Sequence, residues 1–162
     1  MILVLVSLAF IDPIISPHFV ALGLPETYGG YCLGVEGGTH FLGAIIVGNI
    51  SGYRNNQIIL FALLTSTISI LAIGPSQLIG LNASAAMTLL GVASNGFFTS
   101  FIEVLTIPIL ITAIEVEEGE NLTQKKKNQI ADKAATLYMI AIGLGSLIGP
   151  VIGGGLSDLA GF

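Results

Sequence analysis

Charge is the scarcest property of this sequence. Its 162 residues include 5 Lys and Arg and 10 Asp and Glu, 9% in all, whereas soluble domains carry about 25%. A water-facing surface cannot be built from so few. The net charge of −5 carries no message about nucleic acid, because the charges are crowded into short stretches, and no nucleic-acid partner is expected. Cysteine is equally scarce. Cys32 stands alone in an apolar run, which excludes a disulfide framework and a thiolate metal cluster and leaves it as a small apolar side chain. No phosphate-binding loop, metal-ligand cluster or nucleophile with a paired base is present, so neither a cofactor nor an enzyme activity is expected. The alternating ten-residue pattern of a membrane barrel is missing as well.

What the chain has in abundance is apolar sequence: 53% of its residues are hydrophobic and the mean hydropathy is +0.91. Five stretches approach the length of about 20 residues that crosses a bilayer core of about 30 Å. They cover 2–22, 28–50, 57–74, 83–114 and 134–156, separated by GLPE, SGYRNN, GPSQ and a polar run over 115–133. The expected fold is a single all-α integral membrane domain over 1–162 with five transmembrane helices. The run 115–133 is expected as a solvated cytoplasmic loop, with or without a short surface helix.

All five basic residues, Arg54, Lys125, Lys126, Lys127 and Lys133, fall in the second and fourth connections. A five-helix count places these on one side, which the positive-inside rule makes cytoplasmic. The N-terminus is then cytoplasmic, and Phe162 extracellular or lumenal. A cleaved signal peptide is the alternative for the first segment, but it has no basic leading region and its apolar stretch runs past Asp12 and Pro13. Of the sequons at Asn49, Asn82 and Asn121, only Asn82 lies on the non-cytoplasmic side, too near a helix start for glycosylation.

Glycine costs a helix about 1 kcal/mol and proline about 3, yet the stretch GSLIGPVIGGG, residues 145–155, is rich in both. Membrane helices associate through close backbone approach, which small residues permit. Gly145, Gly149 and Gly153 form one such face, with Pro150 expected to kink the helix by removing the donor to Ser146. Gly30, Gly34 and Gly38 repeat the spacing in the second segment.

The run from Gly145 through Pro150 to Gly153 and Gly154 fits GxxxGPxxGG, and so resembles the antiporter signature of the major facilitator superfamily. FIDPIISPHFVALGLPETYGG resembles that family's seventh helix and following loop, GPSQLIGL the close of its ninth, and SFIEVLTIPILITAIE its tenth. In this order the chain looks like helices seven to eleven, part of the C-terminal half, of a vesicular amine and polyamine transporter-like member. The resemblance implies proton-coupled antiport of an organic cation, whether amine, polyamine or drug-like, by a fragment of a twelve-helix transporter in a vesicle membrane. Its partners would be the bilayer, the cation, protons, and a missing N-terminal half or a second copy. The alternative class is a truncated or assembly-only membrane protein that does not transport.

Ionisable groups inside a membrane cost roughly 2.5–3.5 kcal/mol each and point to function. Asp12 and Glu103 match acids that the resemblance implicates in cation recognition or proton coupling. Glu36 and His40 are four apart on one helical face, where they either share a proton or form a self-neutralising pair. Asp12 is either a site residue or an interfacial acid, and His18 either a lumenal pH sensor or an interfacial residue. Pro108 frees the Val104 carbonyl beside Glu103, which favours local unwinding there.

Overall fold

The computed structural model describes residues 2–50, 52, 55–74, 84–119 and 123–160. Among these residues every regular element is a helix: α1 (Ile2–Ala21), α2 (Thr27–Ile50), α3 (Asn55–Ile73), α4 (Ala85–Glu118) and α5 (Gln124–Ala160). The all-helical architecture read from the sequence is therefore present. Arg54, Asn82, Asn121 and nearly all of the GPSQLIGL segment lie outside the described residues.

Helices are the economical solution for such a chain, because in lipid each backbone donor and acceptor must be satisfied within its own segment. The ends carry specific stops. Gly23 adopts a φ of 78°, and the amide of Leu24 donates to the Phe19 carbonyl at 3.0 Å, closing α1. Ser84 caps α4 by accepting from the Met87 amide at 3.2 Å. Gly119, with a φ of 94°, ends the same helix, its amide donating to Glu115.

The five-helix expectation is met in part, and the expectation for the last connection needs correction. Four helices, α1, α3, α4 and α5, are long and apolar enough to cross a membrane. The fifth, α2, has the length at 24 residues, but Glu36, His40, Asn49 and its glycines dilute its apolar content below that standard. The polar run 115–133 is also mostly helix rather than loop. Glu and Lys are good helix formers, so α4 continues to Glu118 and α5 begins at Gln124. At 34 and 37 residues both exceed the roughly 20 residues that a bilayer core requires, and their joined ends stand beyond it. There Lys126 forms an ion pair with Glu118.

Packing follows small residues. A Cβ at Gly145 would meet Leu5, one at Gly149 would sit 2.6 Å from the Ala9 Cβ, and one at Gly153 2.6 Å from the Phe10 carbonyl. Both sequences ascend together, so α1 and α5 run parallel with their backbones in near contact. In the second tight parallel pair, α2 and α4, Gly43 approaches Phe97 and Ser100, and Gly96 approaches the Glu36 carbonyl. The expected face of Gly30, Gly34 and Gly38 is not used: added Cβ atoms there would meet nothing within 4 Å. The difference has a geometric cause, since Gly29 and Gly43 lie nearly half a turn away, on the side where Ser16 of α1 and Phe97 and Ser100 of α4 stand. α3 runs antiparallel to α4, with Ser69 Oγ donating to Ser94 Oγ at 2.8 Å and Thr88 donating to the Ile73 carbonyl at 3.3 Å.

Two apolar clusters result. One joins Ile11, Ile15 and Phe19 to Cys32, Ile73 and Val92; the other joins Val47 and Ala62 to Phe101, Ile102 and Leu105. The outward faces are apolar too, with Tyr31, Ile68, Leu90, Leu147 and Val151 all more than 60% exposed. Such a surface suits lipid and would aggregate in water.

Candidate functional site

Between the two apolar clusters lies a polar layer. On α2, Glu36 and His40 fall between Cys32 of the first cluster and Val47 of the second. The two do not pair with each other. His40 Nε2 instead meets Glu103 Oε2 of α4 at 3.2 Å, with side-chain exposures of 34% and 18%. Glu36 Oε1 accepts from Asn95 Nδ2, also on α4, at 3.4 Å. The expected intrahelical pair is thus replaced by two interhelical contacts, because the parallel packing of α2 and α4 places a polar partner opposite each residue.

The second contact continues into α3. Asn95 is fully buried, and its Oδ1 accepts from Ser66 Oγ at 2.7 Å. Ser66 is itself buried. Other hydroxyls are absorbed by their own helices: Thr99 donates to the Asn95 carbonyl at 2.7 Å and Ser100 to Phe97 at 2.7 Å. Among the described residues no buried side-chain nitrogen or oxygen lacks a partner, as burial in a low-dielectric interior demands.

Of the four acids and bases singled out from the sequence, the structure directly joins His40 with Glu103. Asp12 is exposed on α1, within electrostatic reach of Glu36 but making no ion pair. Sequence reasoning missed Asn95, Ser66 and Tyr138. Asn95 and Ser66 carry no charge and sit in helical registers rich in small residues, so only a buried amide, uncommon in a lipid-facing helix, could have flagged the first. Tyr138, half-buried on α5, approaches Glu103 closely enough to feel its charge.

His18, placed at the end of α1 as expected, reaches across to α4, where its Nε2 lies 3.1 Å from Thr88 Oγ1. It is a tie between helices. Among the signature residues, Gly145, Gly149 and Gly153 form the α1 contact, while a Cβ at Gly154 would meet nothing within 4 Å. Helix α5 continues through Pro150 without interruption.

The site therefore lies along a seam. The pair α1 and α5 packs tightly, and α4 packs tightly against both α2 and α3, whereas α1 with α2 and α4 with α5 share smaller contacts. A cleft of about 190 Å³ lined by Val4, Ser7, Leu63, Ser66, Thr67 and Ile70 separates α1 from α3. Asp12 and Tyr138 approach the seam from one side, and Glu36, His40 and Glu103 from the other. Chemically, such an arrangement offers carboxylates and one imidazole in a setting with little water, suited to holding a proton or an organic cation. Among the described residues no three His, Cys, Asp or Glu side chains gather as a metal site. Neither a family model, nor a curated protein, nor a solved structure matches the chain.

Proposed function

We propose that this chain is the cavity-lining part of a proton-coupled antiporter for an organic cation, built like the C-terminal half of a major facilitator superfamily transporter. The observation that supports this reading above all is the His40–Glu103 contact, a titratable pair bridging two helices inside an apolar bundle. Whichever of the two carries it, the pair holds one exchangeable proton. When that proton leaves, the carboxylate regains a net negative charge and attracts a cation; when a cation departs, the proton returns. Asp12, across the seam, adds a second carboxylate to the same space.

On this reading α2 also crosses the membrane, its glycines and polar residues facing the transport path rather than lipid. The lysine-bearing ends of α4 and α5 lie in the cytoplasm, following the positive-inside rule, with the N-terminus on the same side. The seam's polar groups require a protein or water cover, because exposing them to lipid costs several kcal/mol. An N-terminal half or a second copy supplies it, and rocking of one side against the other gives alternating access. The assembly-only alternative loses its main support from α5, since the Gly145, Gly149 and Gly153 face is consumed within the chain.

The test is cation binding in nanodiscs, using a panel of monoamines, diamines and quaternary ammonium ions in weakly buffered solution with a pH dye. At least one member is expected to bind with release of about one proton. Glu103→Gln should abolish both signals. Binding without proton release, or no binding by the entire panel, overturns the proposal.

A further inference from the structure

We propose that Asn95, oriented by Ser66, is a positioning residue that holds Glu36 away from His40 and so reserves the imidazole for Glu103. The inference rests on the reading of His40 and Glu103 as the exchange pair, but its test does not need transport to occur.

Glu36 and His40 stand four residues apart on α2, a spacing at which side chains of one helical face meet. An acid and an imidazole so placed would ordinarily pair. Instead Glu36 turns to Asn95 Nδ2 at 3.4 Å, and His40 to Glu103 at 3.2 Å, 63 residues away. The choice is set on α4 and α3. Asn95 is 0% exposed, with its Oδ1 engaged by the Ser66 hydroxyl at 2.7 Å. An amide has one acceptor oxygen and one donor nitrogen. With the oxygen committed to Ser66, the nitrogen must face Glu36. The amide therefore presents only donors to the carboxylate, and Glu36 gains a partner it can reach without approaching His40.

Two further features keep this geometry fixed. Gly96, next to Asn95, leaves no room for a Cβ, which would lie 2.5 Å from the Glu36 carbonyl and 2.9 Å from its Cγ. The backbone of α4 thus abuts Glu36 itself. Thr39 Oγ1 donates to the Glu36 carbonyl at 3.0 Å, using a hydroxyl that could otherwise contact the side chains on either side. Ser66 also borders the cleft between α1 and α3, so α3, which bears no ionisable residue, still influences which acid holds the proton.

The experiment is solid-state NMR on the full chain in lipid, with 15N in histidine rings and 13C in glutamate carboxyls, reading the dipolar contact between His40 Nε2 and a carboxyl carbon. In the native protein one short contact is expected, and Glu103→Gln should remove it. In Asn95→Val the released Glu36 should reach His40, so the contact should survive Glu103→Gln. Ser66→Ala should reproduce this in part and Ser66→Thr should not, which guards against misfolding of the Asn95 variant. Loss of the contact in Glu103→Gln whatever stands at 95 and 66 overturns the inference. So does a Glu36 contact already present in the native protein.

Discussion

The near contact of α1 and α5 makes a sharp prediction for Gly149→Ala. The added methyl would lie 2.6 Å from the Ala9 Cβ and 2.8 Å from the Val6 carbonyl oxygen. Carbon atoms normally rest about 3.5–4.0 Å apart, so α1 must retreat by roughly 1 Å. Neither obstacle can swing aside, since one is a backbone oxygen and the other a methyl fixed to its Cα. Overpacking of this kind costs about 1–3 kcal/mol. Against it stands a gain of about 1 kcal/mol from replacing glycine in a helix. The net loss reaches about 2 kcal/mol, or roughly 30-fold in the folding equilibrium. Gly154→Ala is the matched control: it lies on the same helix, and its methyl would meet nothing within 4 Å. That variant should be neutral or more stable by up to about 1 kcal/mol. Reversible unfolding in mixed micelles with increasing SDS, followed by circular dichroism, separates the two. Equal stability of Gly149→Ala and Gly154→Ala would refute the reasoning.

The same titration checks three other expectations. His40→Ala and Glu103→Gln should each cost about 1–2 kcal/mol, the lower part of the range for charged hydrogen bonds because both side chains are partly exposed, while the double variant should cost less than the sum of the two. Thr88→Val removes a fully buried hydroxyl placed 3.1 Å from His18 Nε2; a loss of about 1–2 kcal/mol is expected, with little further loss on adding His18→Ala. Where α4 ends and α5 begins, Lys126 beside Glu118 holds its carboxyl below the usual range. A lowered folded-state value means that the ion pair contributes above the ordinary glutamate value of about 4.3 and is lost as pH falls through the folded one. Lower protection of the Gly119 and Lys126 amides in acid, measured against the intrinsic exchange rate at each pH and abolished as a pH effect by Glu118→Gln, is the expected outcome.

The sequence made the helices legible because the hydrocarbon core acts on local properties, length and apolarity, which any short window displays. It failed at the ends of α4 and α5, where polarity suggested a loop although Glu, Lys and Gln favour helix as strongly as the apolar residues do. The GxxxG spacing was a sound guide at Gly145, Gly149 and Gly153, whereas at Gly30, Gly34 and Gly38 no described residue of the chain packs against the face. Spacing shows that a smooth face exists, whereas its use depends on which neighbour stands opposite. Pairing of charges was the least legible feature. Glu36 and His40 are adjacent along one helix, and local reasoning joins them; the actual partner of His40 lies 63 residues on, fixed by the register of α2 against α4.

That register explains why the ionisable groups collect where they do. Close parallel packing through glycine brings α1 to α5 and α2 to α4 with little space between backbones, leaving little room for long polar side chains at the closest points. Glu36, His40, Glu103, Asp12 and Tyr138 must then lie toward the edges of these tight contacts, where the seam gives them volume. The half-burial of Glu36, His40, Glu103 and Tyr138 follows directly, while Asp12 is exposed on α1. A charge fully enclosed in the bundle would be locked to its partner by the cost of separating them. A charge on the lipid face would be too costly to keep. On the proposed antiport reading, the seam is where a carboxylate can exchange one positive partner for another, and the glycines that pack the helices determine where that seam lies.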